Sequence, residues 1–467
     1  MSFSHQFPKS SLREYDIRGI VGESLGEADA FAIGRVFGSI VADAGGRTVV
    51  VGRDGRLSSP TLAAALIKGL MASGMAVTDV GQGPTPMLYF ASFDAKADGA
   101  VMVTGSHNPP NYNGFKMMLK NKPFFGQDIQ RLGARAAAGQ VVEQAQGSVA
   151  QKDVAEAYVA RLLKDWDGAR KLKVVWDNGN GAAGDVLAKL VAQLPGQHKV
   201  LNGKVDGTFP AHHPDPTVPK NLEQLIDAVK KDGADVGVAF DGDADRIGLV
   251  DNEGHILFGD QFLILMARDV LRDHPGATII ADVKASQVLF DEIAKAGGQP
   301  LMWKTGHSLI KSKMAEQGSP LAGEMSGHIF YNDKWYGFDD ALYAAVRILG
   351  VIARMPETLG AFRASLPAVV NTPELRFDCA EDRKFAVVAE VAERLKAAGE
   401  KVSDTDGVRV NTEDGWWLLR ASNTQAVLVA RAESNSEAGL SRLKAALASQ
   451  LAASGLAPDF SASNAGH

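Results

Sequence analysis

Apolar, β-branched runs that end in a charged turn and hand over to an Ala/Leu-rich helix recur along this chain. That alternation limits the fold more than any other feature. RTVVVGRDGR (47–56) reads as a strand closing on a polar turn, PTLAAALIKGLMASG (60–74) as a helix stopping at Gly74, and AVTDVG (76–81) as the next strand. The same order returns in KVVWDNGNGAAG (173–184), with a helix expected from near Asp185, in DVGVAFDGDADR (235–246) and in TIIADVKAS (278–286). Strands alternating with helices build α/β domains with largely parallel strands. Open α/β sheets bind ligands beyond the carboxyl ends of their strands. Repeated polar strand ends therefore predict several α/β units facing one cleft.

With 467 residues, length alone suggests about three domains. Polar breaks at AQGSVAQKD (145–153), VDNEGHILFGD (250–260) and SLPAVVNTPELRF (365–377) divide the chain further, into 1–152, 153–255, 256–367 and 368–467. After the last break the helix KFAVVAEVAERLKAAG precedes the strand-rich GVRVNTEDGWWLLRASNTQAVLVARAE. This reads as a smaller α+β unit whose core takes Trp416 and Trp417. The tail AASGLAPDFSASNAGH is Ala/Ser/Gly-rich and reads as frayed.

Composition excludes several classes. A net charge of −6 argues against a broad electrostatic nucleic-acid binder. The single cysteine, Cys379, permits neither an internal disulfide nor a Cys-rich metal site. No apolar run reaches the ~20 residues that cross a bilayer, and YAAVRILGVIARM is broken by Arg347 and reads as a packed helix. The N-terminus carries no apolar run of signal-peptide length. A soluble, cytoplasmic protein with neither nucleic acid nor membrane as partner is expected.

The chemistry concentrates in five loops and an N-terminal pair. DGDADR (241–246) sets Asp241, Asp243 and Asp245 at alternate positions just after a strand. Crowded carboxylates repel one another, and a hard cation such as Mg²⁺ or Ca²⁺ resolves the conflict. An EF-hand is excluded: Arg246 stands at its glycine position, Asn252 at position 12, and a strand precedes. Three carboxylates leave part of a Mg²⁺ sphere open, and a phosphate on a serine could complete it. TGSHNPPNYNGFK (104–116), after the buried strand ADGAVMV, supplies Ser106. Taken alone, Gly105-Ser106-His107 reads as an ordinary turn, and only partners elsewhere in the chain change that.

RASNTQ (420–425) offers Arg420, which can grip a phosphate with two donors, beside Ser422, Asn423 and Thr424. GEMSGH (323–328) places Glu324, Ser326 and His328 in one loop, suited to sugar hydroxyls. KTGHS (304–308) adds Lys304 and His307, and YDIRG (15–19) adds Tyr15 and Arg18. DNGNGAAG (177–184) lacks the spacing of a nucleotide-binding loop, and HHPDP (212–216) reads as a plain loop.

TGSHNPP, DGDADR, GEMSGH and RASNTQ, in this order and at these wide intervals, resemble the α-D-phosphohexomutase superfamily, and within it the bacterial phosphomannomutase/phosphoglucomutase branch. The resemblance runs from Tyr15 to about Glu433. It implies three α/β/α domains with mixed sheets and a smaller C-terminal α+β domain around a central cleft. It implies that Ser106 is the phosphoserine and a metal ligand, with Asp241, Asp243 and Asp245 holding Mg²⁺. His107, Lys116 and Arg246 would lie by the transferring phosphate, and Glu324 and Ser326 by the sugar. Arg420, Ser422, Asn423 and Thr424 would hold the phosphate that does not react, and Tyr15, Arg18, Lys284, His307 and His328 would complete the cleft.

The implied chemistry converts hexose 1-phosphates and hexose 6-phosphates through a hexose 1,6-bisphosphate, which serves as activator and intermediate. A lysine pressed against other cations can lose its proton near neutral pH, which makes Lys116 a candidate base. Histidine as a residue type suits proton shuttling, which makes His328 a candidate for that role or, equally, for binding. The implied partners are small-molecule sugar phosphates, and a monomer is expected, supplying nucleotide sugars for surface polysaccharide. Phosphoglucosamine mutase is the nearest rival, although that branch shows GEQSGH and a Pro-Ser-Gly-Thr loop where this chain has GEMSGH and Ala-Ser-Asn-Thr. A sugar-phosphate phosphatase and a non-catalytic sugar-phosphate binder are the alternatives from other classes.

Overall fold

The computed structural model describes residues 3–423, 425–458 and 460. Four sheets follow one another along the chain. The first has its parallel centre in Thr48–Arg53, Ala76–Gln82 and Gly99–Val103, with Ser148–Gln151 parallel at one edge and Tyr112–Leu119 and Ile17–Ile20 antiparallel at the other. The second orders Gly196–Leu201, Leu172–Asp177 and Val236–Phe240 in parallel, then Ile247–Asp251 and Ile256–Leu257 antiparallel. The third runs Gln299–Trp303, Thr278–Asp282, Leu321–Gly323 and, antiparallel, Ile329–Tyr331. The parallel strands expected from the alternation therefore form the centre and one edge of these three sheets, and antiparallel strands complete the other edge.

The fourth sheet is wholly antiparallel, built on Val408–Thr412, Gly415–Ala421 and Val427–Ser434, with helices Lys384–Ala397 and Glu437–Ala453 packed on it. The expected break at 255/256 falls just before Ile256–Leu257, which pairs with Ile247–Asp251 and so belongs to the second sheet. Residues 459 and 461–467 of the Ala/Ser/Gly-rich tail lie outside the described residues.

The cores are unequal. One continuous apolar cluster joins the first three units, with Val50, Met87 and Tyr89, then Tyr158, Trp176 and Phe240, then Phe262, Ile279 and Tyr343 among its members. Its axis is the helix Ala341–Arg354, buried on every side from Ala341 to Ala353, as expected of a helix that is apolar all round. Arg347, which breaks that run, is accommodated by Asp333, which takes its two Nη groups at 2.9 and 2.8 Å, and by the Tyr331 ring 4.3 Å below.

The last unit has its own core around Val387, Leu419 and Leu447. Trp417 joins that core, but Trp416 does not. Successive residues of a strand face opposite sides of a sheet, so Trp416 turns to the third unit and packs with Val283 and Leu418. Arg409 lies 3.7 Å above its ring and donates to the carbonyls of Val283 and Ala285 at 2.6 and 3.0 Å.

Candidate active site

The strand Gly99–Val103 is buried along its length and delivers Thr104, Gly105 and Ser106 to the point where the first two units meet. Ser106 has a positive φ of 49°. An L-residue occupies this region only where its surroundings impose it, and such positions gather at functional sites. The imposing groups are identifiable. Ser106 N donates to Thr104 Oγ1 at 2.9 Å, and Gly105 N to Asp54 Oδ2 at 2.9 Å. Arg56, 1% exposed, lies beneath the loop and donates to the carbonyls of Ser106, Asn108, Pro109 and Tyr112 at 2.5–3.0 Å. A Cβ on Gly105 would stand 2.3 Å from the Arg56 guanidinium, so only glycine fits there.

The metal-loop candidates come from the end of Val236–Phe240, in the second unit. Gly242 lets that loop approach: a Cβ there would stand 2.3 Å from the Ser106 carbonyl. Ser106 Oγ donates to Asp241 Oδ2 at 3.0 Å and lies 3.1 Å from His107 Nδ1. Asp241, Asp243 and Asp245 are fully buried and offer carboxylate oxygens within 4.8 Å of one another. Asp243 Oδ1 and Asp245 Oδ1 are buried and have no hydrogen-bond partner among the described residues. Oxygens around Mg²⁺ at about 2.1 Å stand no more than about 4.2 Å apart, close to this spacing. The three carboxylates fit a hard divalent cation.

The electrostatics follow from burial. Burial and the neighbouring Asp245 and Asp243 push Asp241 well above the usual carboxylate range. Burial acts the same way on Asp243, but Lys116, at 2.7 Å, outweighs it and holds Asp243 well below that range. Thr85 and Thr104 also donate to Asp243 Oδ2.

The structure revises the reading of Lys116. Its neighbours are the carboxylates of Asp243 and Asp245, not cations, and they raise its pKa above the ordinary value although burial alone would lower it. His107 is lowered by burial, then by Arg246 and Arg18.

The third unit closes the site. His328 lies under Arg246, whose Nε donates to His328 Nε2 at 3.0 Å. His307 stacks on His328 with ring centroids 5.3 Å apart. Glu324, 2% exposed, accepts from Gly306 N at 2.7 Å, and burial raises its pKa. Ser326 is half-buried on the same turn, whereas Lys304 is exposed. Arg18 is buried and held by Asp16 and Asn108 Oδ1.

A second pocket, a cavity of about 130 Å³, is lined by Tyr15, Lys284, Thr305, Glu374, Arg376, Arg420, Ser422, Asn423 and Val429. It draws on the first, third and fourth units. Tyr15 bridges them, donating to the Thr305 carbonyl at 2.9 Å and accepting from Asn423 Nδ2 at 2.7 Å. Arg420 Nε donates to Asp406 Oδ2 at 2.9 Å, and Lys284 Nζ to Glu374 Oε2 at 3.0 Å. Gln425 N donates to Ser422 Oγ at 3.2 Å. Thr424 lies outside the described residues.

The sequence reading passed over Asp54 and Arg56, Asp339, Glu374 and Asp406. The first two carry a legible signal: they stand in the charged turn after a buried strand, as the metal-loop aspartates do. HHPDP is a loop, as expected, and it lies against the metal loop: Pro214 is beside Gly242, and Asp215 raises the Arg246 pKa although burial would lower it.

Comparison with known proteins agrees along the whole chain. Four family models match in order: phosphoglucomutase/phosphomannomutase alpha/beta/alpha domains I, II and III over residues 9–140, 156–254 and 258–369, and the C-terminal domain over 374–450. A phosphomannomutase/phosphoglucomutase of Pseudomonas putida is 46% identical over 444 residues, covering 95% of this chain and 96% of the relative. A phosphoglucomutase of Neisseria gonorrhoeae is 43% identical over 436 residues, covering 93% and 95%. The crystal structure of a phosphoglucomutase/phosphomannomutase family protein from Burkholderia thailandensis superposes with a TM-score of 0.91 at 43% identity, covering 97% of this chain and 99% of that one. Sequence, sheet order and loop geometry thus lead to one assignment: this chain belongs to the phosphoglucomutase/phosphomannomutase family.

Proposed function

We propose that the protein interconverts the 1-phosphates and 6-phosphates of glucose and mannose, with Ser106 as the phosphate carrier. The observation that carries this is the left-handed Ser106, held 3.0 Å from Asp241 in a ring of buried carboxylates and cations. Two oxygens of one hexose are too far apart for a direct hop, so the group must pass through the protein. The phosphorus–Oγ bond of phospho-Ser106 breaks as a hydroxyl of hexose 1-phosphate bonds to phosphorus, and the hydroxyl proton ends on Ser106 Oγ. The resulting 1,6-bisphosphate turns around, and its other phosphate returns to Ser106.

Each residue then has a definite task. Asp241, Asp243 and Asp245 would hold Mg²⁺, which when bound supplies charge neutralisation at the phosphate. Lys116, Arg246 and His107 surround the transferring group, and Glu324 and Ser326 meet sugar hydroxyls. Arg420, Ser422, Asn423, Thr424 and Lys284 bind the remote phosphate, with Tyr15, Arg18 and His307 shaping the space between. Trace hexose 1,6-bisphosphate keeps Ser106 phosphorylated. The four units divide near residues 152, 257 and 367, and the protein acts as a cytoplasmic monomer in nucleotide-sugar supply. Among the described residues no helix is long and apolar enough to cross a membrane.

The test is turnover with Mg²⁺ and trace bisphosphate on glucose, mannose and glucosamine 1-phosphates side by side. Comparable kcat/KM on glucose and mannose is expected. Strong preference for glucosamine 1-phosphate would move the protein to the rival branch, and sugar-independent phosphate release would make it a phosphatase.

A further inference from the structure

Phe209, in the second unit, keeps a backbone that its residue type resists. Its φ is 50°, in the left-handed region, and Pro210 follows it. A bulky side chain persists at such a φ only where its surroundings impose it. The loop before it supplies the restraint. Phe209 N donates to the Asp206 carbonyl at 3.0 Å and Asp206 N to the Asn180 carbonyl at 3.0 Å. Thr208 N and Oγ1 donate to Asp206 Oδ1 at 2.9 and 2.6 Å. Phe209 is half-buried, yet among the described residues it joins none of the apolar clusters. Its ring instead meets Arg56 of the first unit, with the guanidinium carbon 5.1 Å from the ring centroid.

Two glycines let the backbones of the two units touch at this point. A Cβ on Gly207 would stand 2.5 Å from Arg56 Cα and 2.6 Å from the Gly55 carbonyl oxygen, and one on Gly55 would stand 2.2 Å from Val205 Cγ1. Arg56 commits both Nη groups to the carbonyls of Ser106, Asn108, Pro109 and Tyr112. Its counter-charge is Asp54, whose Oδ2 lies 3.2 Å from Nε. The edge of the guanidinium is therefore taken, and its face is what an aromatic ring can hold. The second unit thus reaches the Ser106 loop twice, directly through Gly242 and indirectly through Phe209 and Arg56.

We propose that Phe209 is a positioning residue for phosphoryl transfer. The left-handed backbone aims the ring at Arg56, the ring fixes the guanidinium plane, and Arg56 passes that restraint to the Ser106 carbonyl. Ser106 Oγ is thereby kept in register with Asp241 of the second unit, to which it donates at 3.0 Å. The inference rests on Ser106 as the phosphate carrier and deepens that reading.

The experiment compares Phe209→Tyr, Phe209→Leu and Phe209→Asn in the full-length protein, in mutase assays with Mg²⁺, glucose 1-phosphate and glucose 1,6-bisphosphate, alongside thermal midpoints. Tyrosine keeps the ring face. Leucine keeps apolar bulk without it, and asparagine lacks the ring but tolerates a positive φ. Phe209→Tyr should keep kcat within about threefold of wild type. Phe209→Leu and Phe209→Asn should lose about 10–100-fold in kcat, with KM changed by less than about threefold. The thermal midpoint of Phe209→Asn should not fall below that of Phe209→Leu, because asparagine relieves the backbone. In an Arg56→Lys background, where the fork is gone, Phe209→Leu should lower kcat by less than about twofold more. Leucine and asparagine variants with wild-type kcat overturn the proposal. A tyrosine variant as impaired as the leucine one overturns it too, as does a full Phe209→Leu effect in the Arg56→Lys background. If Phe209→Asn or Arg56→Lys does not fold, the tyrosine and leucine pair decides. Ser106→Ala, assayed in parallel, separates the two readings. Turnover that survives it overturns the carrier role of Ser106, and the role of Phe209 with it. An inactive Ser106→Ala beside fully active Phe209 variants overturns the role of Phe209 alone.

Discussion

Around Ser106 buried charges of three units meet. Lys116 comes from the first, Asp243 and Asp245 from the second, His328 and Asp339 from the third, and one apolar cluster runs beneath all three. The cavity at Arg420 is assembled differently. Its phosphate-binding candidates stand on a unit with a separate core, docked on the third unit through Trp416, Leu418 and Val283 and a few buried arginines. The first arrangement cannot shift without breaking a shared core, whereas the second can. A bisphosphate that must turn around requires this combination: a rigid place for transfer and a separable place for the resting phosphate.

The contrast can be broken at its strongest point by Ser106→Ala. This substitution should lower kcat by about 10⁴-fold or more and leave the thermal midpoint intact, because one hydroxyl is removed from a site fixed by other groups. Asp243→Asn comes next, with a loss of about 10²–10³-fold in kcat. In the wild type, Mg²⁺ at about 100 times its Kd should stabilise the fold by about 2.7 kcal/mol, and Asp243→Asn should abolish that shift in a melting experiment.

Trp416→Ala tests the docking. Removing a buried tryptophan costs about 3–5 kcal/mol. Calorimetry should then show two unfolding transitions where the wild type shows one, since the last unit keeps its own core. A single lowered transition would mean that the two regions are mechanically one. Arg420→Ala should act on binding, with KM raised about 10–100-fold, the equivalent of one or two charge-assisted hydrogen bonds, and kcat affected less.

The smallest effect is a pH dependence of the docking. Burial would raise the Glu374 pKa from its ordinary 4.5, but Lys284 and then Arg376 dominate and hold it at about 2. A carboxylate depressed by folding adds stability above its unfolded pKa and loses it as pH falls through the folded one. The contribution, about 1 kcal/mol after partial exposure is allowed for, should therefore disappear between pH 4.5 and 2. Denaturant titrations of wild type and Glu374→Gln should converge at the low end of that window.

Much of the molecule was legible because strand and helix signals are local. The alternate aspartates of DGDADR stand out by spacing alone, whereas the serine at the end of a buried strand and the Arg-Ala-Ser-Asn loop gain meaning only beside them. Trp416 shows a signal that was present but misread: two adjacent residues in one strand cannot share a core, so one of them had to face elsewhere. Arg56 and Asp54 shared the strand-end position of the metal aspartates but lacked their repetition. Asp339 and Asp406 carried no local mark, since a lone carboxylate in a loop is ordinary until its neighbours are known.

The sequence by itself determined the order of the elements, the composition of each loop and the residue types available for phosphate, metal and sugar. Those depend on backbone propensity and side-chain period, which act over a few residues. The tertiary structure alone decided the charge state and geometry of the site. Lys116 meets Asp243 from 127 positions away and Asp245 from 129, so a lysine that sequence reasoning set among cations stands among carboxylates. The Ser106 conformation and the outward face of Trp416 have the same origin. Each is set by neighbours through space, and electrostatic energy and packing depend on distances that no spacing along the chain contains.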